Sequence, residues 1–153
     1  MEQRIVFNEV NKGLLDGLFK TEMYLKKSDL DPKLQELIKT RISQINGCAY
    51  CLDMHYKDAI HIGETPQRLY SLPAWKECPY YTDAERAALA YAEAVTKIPQ
   101  QEVTDEVFNT LSQHFTKAQI ADITLAITNI NSWNRLNIAF RTTPGDYKPG
   151  QFN

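Results

Sequence analysis

Residues 46–55 read Asn46-Gly47-Cys48-Ala49-Tyr50-Cys51-Leu52-Asp53-Met54-His55. Asn46-Gly47 is a left-handed-tolerant pair and marks the end of one helix. A second helix opens directly after it, carrying Cys48, Cys51 and His55 at positions i, i+3 and i+7. At about 100° per residue these three side chains fall within about 60° of one another, on a single helix face. Two thiols one turn apart are able to close a disulfide, and an imidazole one turn beyond Cys51 is able to hold or move its proton.

Working outward, helix signals dominate in both directions. Upstream, Asp31-Pro32 is an N-cap followed by proline at the first helical position, and Leu34, Leu37, Ile38, Ile42 and Ile45 form an apolar stripe. Before it, Val10, Leu14, Leu15, Leu18, Met23 and Leu25 predict a helix from about Asn8 to Lys26. Downstream, the motif helix runs to about Ile62, and Thr65-Pro66 starts a short helix. Leu72 to Tyr81, with Pro73 and Pro79, reads as a rigid loop between two helical halves of one domain. Thr82-Asp83-Ala84-Glu85 and Thr116-Lys117-Ala118-Gln119 are capping boxes, ahead of helices to about Thr96 and Arg141. Thr104 caps another, to about Phe115, and Pro144-Gly145 closes the fold. Alternating strand patterns are absent, so the expected fold is all-α, a single helical domain over residues 1–153 with the Cys-x-x-Cys at the N-terminus of a central helix.

Bulk properties narrow the function. The 153 residues are 43% hydrophobic and 24% charged, an ordinary globular composition. A net charge of -2 without a basic patch argues against nucleic acid as a partner. The opening MEQRIVFNEV carries no apolar leader core, and no run approaches the length of a membrane span, so the expected compartment is the cytoplasm. Three cysteines are too few for a secreted disulfide scaffold. In a reducing compartment a Cys-x-x-Cys points to catalysis or metal binding.

A free cysteine with a pKa of about 8.5 is only a few per cent thiolate at neutral pH. Helix N-terminal N–H groups beyond Gly47, a histidine at i+4 from Cys51 and the partner thiol all favour the anion. The residues alone leave the attacking sulfur open: the helix dipole and exposure favour Cys48, whereas proximity to a base favours Cys51. Zinc is a rival, with Cys48, Cys51 and His55 joined by Cys78, His61 or Glu36. It ranks lower, because structural zinc sites usually bring a second ligand pair. Glu36 by itself reads as a solvated ion pair with Lys33 or Lys39. His61 reads as a surface residue, His114 as a helix-end residue and Cys78 as an incidental loop cysteine. Trp75, Tyr80 and Tyr81 either cover a pocket or pack on a core or an interface. Ile120, Ile123, Ile127 and Ile130 are helix core, and Asn129, Asn131, Asn134 and Asn137 suit side-chain bonds across an interface.

The run from Glu36 through Ser43-Gln44-Ile45-Asn46-Gly47-Cys48-Ala49-Tyr50-Cys51-Leu52-Asp53-Met54-His55 closely resembles the carboxymuconolactone decarboxylase family, in its alkylhydroperoxidase D-like (AhpD-like) branch. Gly63-Glu64-Thr65, Trp75, residues 81–90, Asn134-Arg135 and Pro144-Gly145-Asp146-Tyr147 extend the similarity over most of the chain. The resemblance implies an all-helical protein forming homo-oligomers, commonly trimers or hexamers, with a peroxide-reducing dithiol. It implies Cys51 as the peroxidatic cysteine, Cys48 as the resolving one, and Glu36 and His55 as the proton relay, with Glu36 a buried or semi-buried carboxylate serving as general base. It also implies an external dithiol reductant, in that family a lipoyl-bearing protein, and a cycle that needs no metal, flavin or haem. The best-studied family members carry a histidine just before the second cysteine. This chain has Tyr50, whose phenol titrates near 10 and does not readily take the same proton. The expected function is therefore a thiol-dependent peroxidase acting on hydroperoxides. The alternatives are a non-catalytic redox sensor or zinc-stabilised partner-binding protein, and a lactone-decarboxylating relative, which has no use for a dithiol.

Overall fold

Helix punctuation along the chain sets the architecture. A computed structural model describes residues 2–152, and every regular element among them is helical. The helices are α1 (Asp16–Lys26), α2 (Pro32–Asn46), α3 (Ala49–His61), α4 (Pro66–Ser71), α5 (Asp83–Thr96), α6 (Asp105–Ser112) and α7 (Lys117–Phe140). Asp31 caps α2, its carboxylate accepting from the Lys33 backbone N–H at 2.7 Å. Thr82 and Thr116 head reciprocal capping boxes with Glu85 and Gln119. Thr104 caps α6 through the Val107 N–H.

α2 is the element around which the others gather, packing on α3, α5 and α7. Its stripe is buried as the spacing predicts: Leu34, Leu37, Ile38 and Ile42 are buried, while Ile45 is half-buried. Leu34, Ile38 and Ile42 meet Ala88, Tyr91 and Ala92 of α5 and Ile120, Ile123, Ile127 and Ile130 of α7. Each fully buried Leu or Ile contributes about 1.5–3 kcal/mol relative to leaving it exposed. Leu37, on another side of α2, packs with Ala59, Leu69, Leu72, Trp75, Tyr81 and Leu89.

Two stretches differ from the sequence expectation. The first helix starts at Asp16, not near Asn8, with a 3-10 turn over Phe7–Glu9 before it. Gly13 sits at φ +88°, which breaks the helical path. The earlier residues are held elsewhere, because the Arg4 N–H donates to the Phe140 carbonyl at 2.8 Å and the Phe7 ring lies 5.5 Å from that of Phe140. Leu14 and Met23, counted in the apolar stripe, are exposed. The expected loop from Leu72 also opens with a 3-10 turn over Leu72–Ala74 that continues α4. Trp75 and Tyr81 from this stretch are core residues, whereas Tyr80 is exposed.

Candidate active site

The site is built where α2 turns into α3. Gly47 ends α2 in the left-handed region, at φ 71°. This is a conformation that glycine adopts without strain. The chain then restarts as α3 with Cys48 as its N-cap, the sulfur accepting the Cys51 backbone N–H at 3.3 Å. Cys48 and Cys51 are bonded to each other, their Cα atoms 5.3 Å apart, within the ordinary range for a disulfide. They are 1% and 2% exposed. Exposure therefore does not favour Cys48 over Cys51, contrary to the sequence expectation.

α2 places Glu36 against His55, with a carboxylate oxygen 2.8 Å from Nδ1. The other oxygen lies 3.6 Å from Nζ of Lys39. The i,i+3 pairing of Glu36 with Lys39 is present, but it is buried rather than solvated. Lys33 instead donates to the Gly63 carbonyl. Lys39 is 5% exposed and also pairs with Glu22 at 2.9 Å. Burial works against a charged Glu36, yet His55 and Lys39 outweigh it and hold the carboxyl below its usual range. Burial likewise opposes the Lys39 ammonium, which Glu36 and Glu22 hold charged beyond its usual range. A cavity of about 270 Å³ opens over this group, bounded by Glu36, His55, Asp58, Phe19, Trp133 and Phe152. Neither sulfur lines it.

The C-terminal tail closes one side. The Tyr147 hydroxyl donates to Asp58 at 2.8 Å, and burial, followed by that hydrogen bond, pushes the phenol up. Asp58 is raised by burial and by the neighbouring Glu36, although the Tyr147 hydroxyl acts the other way. Tyr50 is half-buried, and burial and Asp53 push its phenol up. It is thus not a proton acceptor near neutral pH.

The asparagines of α7 are buried within the chain and tether α7 to its neighbours. Asn129 donates to Glu22, Asn131 to Thr96 and Asn134 to Ser43. Asn137 donates to the Trp133 carbonyl at 3.0 Å and to Sγ of Cys51 at 3.6 Å. Asn137, Lys39, Asp58 and Tyr147 are therefore neighbours of the site that the motif alone did not reveal. A signal existed for Asn137: asparagine disfavours a helix interior unless its amide is bound.

His61 is exposed, as expected, and stands at the rim of the cavity, while His114 lies exposed just beyond the end of α6. Cys78 is a free, partly buried thiol packed beside the Trp75–Tyr81 cluster. Among the described residues, Glu36, His55 and Asp58 bring three metal-capable atoms within 4.8 Å of one another. Neither sulfur belongs to that group. Its members are already engaged, Glu36 with His55 and Lys39, and Asp58 with Tyr147. The arrangement forms a charged hydrogen-bond network. No helix among the described residues is long and apolar enough to cross a membrane.

Comparison with known proteins agrees with this geometry. The Bacillus subtilis (strain 168) protein YdfG, itself uncharacterized, is 44% identical over 139 residues, spanning 91% of this chain and 95% of YdfG. A crystal structure of an Agrobacterium tumefaciens protein of unknown function, provisionally described as an antioxidant defence protein AhpD, superposes with a TM-score of 0.91 at 38% identity. That match covers 95% of this chain and 100% of the other. A peroxidase-related protein from Silicibacter sp. TM1040, also uncharacterized, superposes with a TM-score of 0.78 at 26% identity, covering 91% of this chain and 74% of that one. Residues 12–94 match the sequence profile of the Carboxymuconolactone decarboxylase family, and with an AhpD-like all-helical fold and its Cys-x-x-Cys pair, the chain belongs to that family.

Proposed function

We propose that the chain is a thiol peroxidase that reduces hydroperoxides through a dithiol–disulfide cycle. The observation that carries this reading is the Cys48–Cys51 bridge at the head of α3, one turn before a histidine paired with a buried carboxylate at 2.8 Å. The Cys51 thiolate attacks the terminal oxygen of a hydroperoxide. A sulfur–oxygen bond forms, the O–O bond breaks, and Cys51 becomes a sulfenic acid while the peroxide leaves as an alkoxide. The alkoxide takes a proton from His55, which Glu36 orients and helps to recharge. The Cys48 thiolate then displaces hydroxide from the Cys51 sulfur, closing the disulfide, and the hydroxide is protonated to water. An external dithiol, a lipoyl-bearing protein by family analogy, restores both thiols by exchange and is itself oxidised to a disulfide. The sum is one hydroperoxide and one dithiol converted to an alcohol, water and a disulfide.

Both sulfurs are buried, which by itself disfavours a thiolate, so the cycle relies on hydrogen-bond donors and on His55 to hold the anion. The cycle fits a reducing compartment such as the cytoplasm. The protein acts as a homo-oligomer, a trimer or a hexamer, and exposed Met23, Tyr24, Tyr70 and Ile98 are apolar side chains available for such contacts. Sedimentation equilibrium tests that part.

Activity is tested by peroxide consumption with dithiothreitol or dihydrolipoamide as reductant. Cys51→Ser should abolish turnover. Cys48→Ser should leave a single oxidation without turnover, and His55→Ala or Glu36→Gln should lower the rate at least tenfold. Full activity in Cys51→Ser would refute Cys51 as the nucleophile. Activity that survives loss of both cysteines would remove the peroxidase reading. Thiol titration before and after stoichiometric peroxide adds a second check, in which Cys48 and Cys51 should be lost together.

A further inference from the structure

Two of the buried side-chain atoms without a hydrogen-bond partner belong to the site: Nε2 of His55 and Oδ1 of Asn137. The other end of the Asn137 amide is fully used. Nδ2 donates one hydrogen to the Trp133 carbonyl at 3.0 Å and the other to Sγ of Cys51 at 3.6 Å. The Trp133 carbonyl only accepts, so it fixes which end of the amide is the nitrogen. Asn137 is 5% exposed, and the contact joins α7 to α3 across 86 positions of sequence.

We propose that Asn137 is a catalytic residue of the thiol cycle, its Nδ2–H holding the Cys51 thiolate and its Oδ1 accepting the hydroxyl of the Cys51 sulfenic acid. The inference rests on the reading of Cys51 as the attacking sulfur. A thiolate only accepts hydrogen bonds, whereas a sulfenic acid also donates one. A single amide, fixed in place by Trp133, offers both complements without turning over. It serves the oxidation of Cys51: the thiolate loses two electrons to the peroxide oxygen, the O–O bond breaks, and the alkoxide leaves with a proton from His55.

The two sulfurs are supplied differently. Cys48 receives the Cys51 backbone N–H, a donor that any helix capped this way provides. Cys51 receives a side chain delivered by tertiary packing. Asn137 also lies beyond residues 12–94, the stretch that matches the family profile. The charged or titratable groups on the elements around Cys51 include Tyr50, Asp53, His55, Lys57 and Asp58 on α3, Glu36, Lys39 and Arg41 on α2, and Arg135 on α7, which donates to Asn131.

The test is the pH midpoint of alkylation by iodoacetamide, read one sulfur at a time. In a Cys48→Ser, Cys78→Ser background, Asn137→Ala should raise the Cys51 midpoint by about one unit, and Asn137→Asp by more. In a Cys51→Ser, Cys78→Ser background, Asn137→Ala should leave the Cys48 midpoint where it was. Asn131→Ala, which removes a tether to Thr96, should not move the Cys51 midpoint. An unmoved Cys51 midpoint in folded Asn137→Ala and Asn137→Asp, or an equal shift in Asn131→Ala, would overturn the proposal. A measurement without substitution at Asn137 keeps it testable if those variants do not fold. The Asn137 side-chain amide resonance of the reduced protein should titrate with the Cys51 midpoint, and an amide that ignores that titration overturns the donor role. Alkylation involves no peroxide, so this result is independent of whether the protein consumes peroxide.

Discussion

Lys39 keeps an ammonium group in the interior by touching two carboxylates, Glu22 at 2.9 Å and Glu36 at 3.6 Å. Glu36 in turn stays charged because His55 and Lys39 outweigh its burial. The folded-state pKa of Glu36 is depressed, so its contribution to stability is present above the unfolded value and is lost as pH falls through the folded one. Lys39 is raised, so its contribution is present below the usual lysine value and is lost only as alkaline pH passes the folded one. Across neutral pH both contributions hold. Glu36→Gln should therefore flatten the acid limb of a plot of Tm against pH from 7 to 3. Limbs of equal slope would show that Glu36 is not held below its normal range. Lys39→Met should cost about 3–5 kcal/mol in urea unfolding, because it strands two buried carboxylates. Lys39→Met with Glu36→Gln should cost less than the sum of the single changes. The i,i+3 spacing of Glu36 and Lys39, and the i+4 spacing of Cys51 and His55, were legible in the sequence because they are local. The burial of Glu36 followed only from the family resemblance and from no local spacing, since it depends on α1 and the tail, and the contact of Asn137 with Cys51 forms only after α7 has packed.

Helix boundaries were legible wherever a cap states its own chemistry. Asp31-Pro32, the two capping boxes and the left-handed Gly47 all stand where their residue types place them. The beginning of α1 was not legible, because apolar spacing from Val10 onward competes with Gly13 and with contacts made to the far end of α7. α7 carries the opposite lesson. Its four buried asparagines are weak helix formers, and each is bound to another element or to the preceding turn, so a propensity cost along one helix is offset by cross-links to the rest. The cap of α3 gives a prediction at this scale. Cys48 fills the N-cap position with sulfur, a role that serine performs well and alanine cannot. Against the reduced wild type, Cys48→Ser should be at least as stable, and Cys48→Ala should be about 1 kcal/mol less stable in urea unfolding. Equal midpoints for the serine and alanine variants would show that the sulfur does not act as a cap once the disulfide is open.

At the scale of the whole molecule, the chain is folded so that residues 145–147 lie against the helix that bears the cysteines. The Gly145 N–H donates to Asp53 at 3.1 Å, Lys57 bridges Asp53 and the Gly145 carbonyl, and Tyr147 reaches Asp58. Phe152 stacks on Tyr147 with centroids 5.8 Å apart and meets Phe19 of α1 at 6.1 Å. Pro144-Gly145 was expected to close the fold, but the α3 partners of this tail lie 89 and 92 positions away and followed from no local pattern. Asp53, Lys57 and Asp58 sit on α3 at i, i+4 and i+5, so the tail is fastened along one side of the helix whose other residues serve the disulfide. Tyr147 is the most buried part of this strap, and it lines the same cavity as Glu36 and His55. Removing its hydroxyl breaks a hydrogen bond to a charged, half-buried carboxylate, at a cost of about 1.5–3 kcal/mol. Opening of the tail alone should become easier by a similar amount, since α2, α5 and α7 form their core without it. Tyr147→Phe should therefore speed proteolytic cleavage within residues 142–152, and amide exchange at Gly145, by at least tenfold. Exchange in α5 and α7 should change far less. Equal acceleration in α5 and α7 would show that the tail opens only when the whole fold does, and unchanged exchange at Gly145 would show that the Tyr147–Asp58 contact does not hold it.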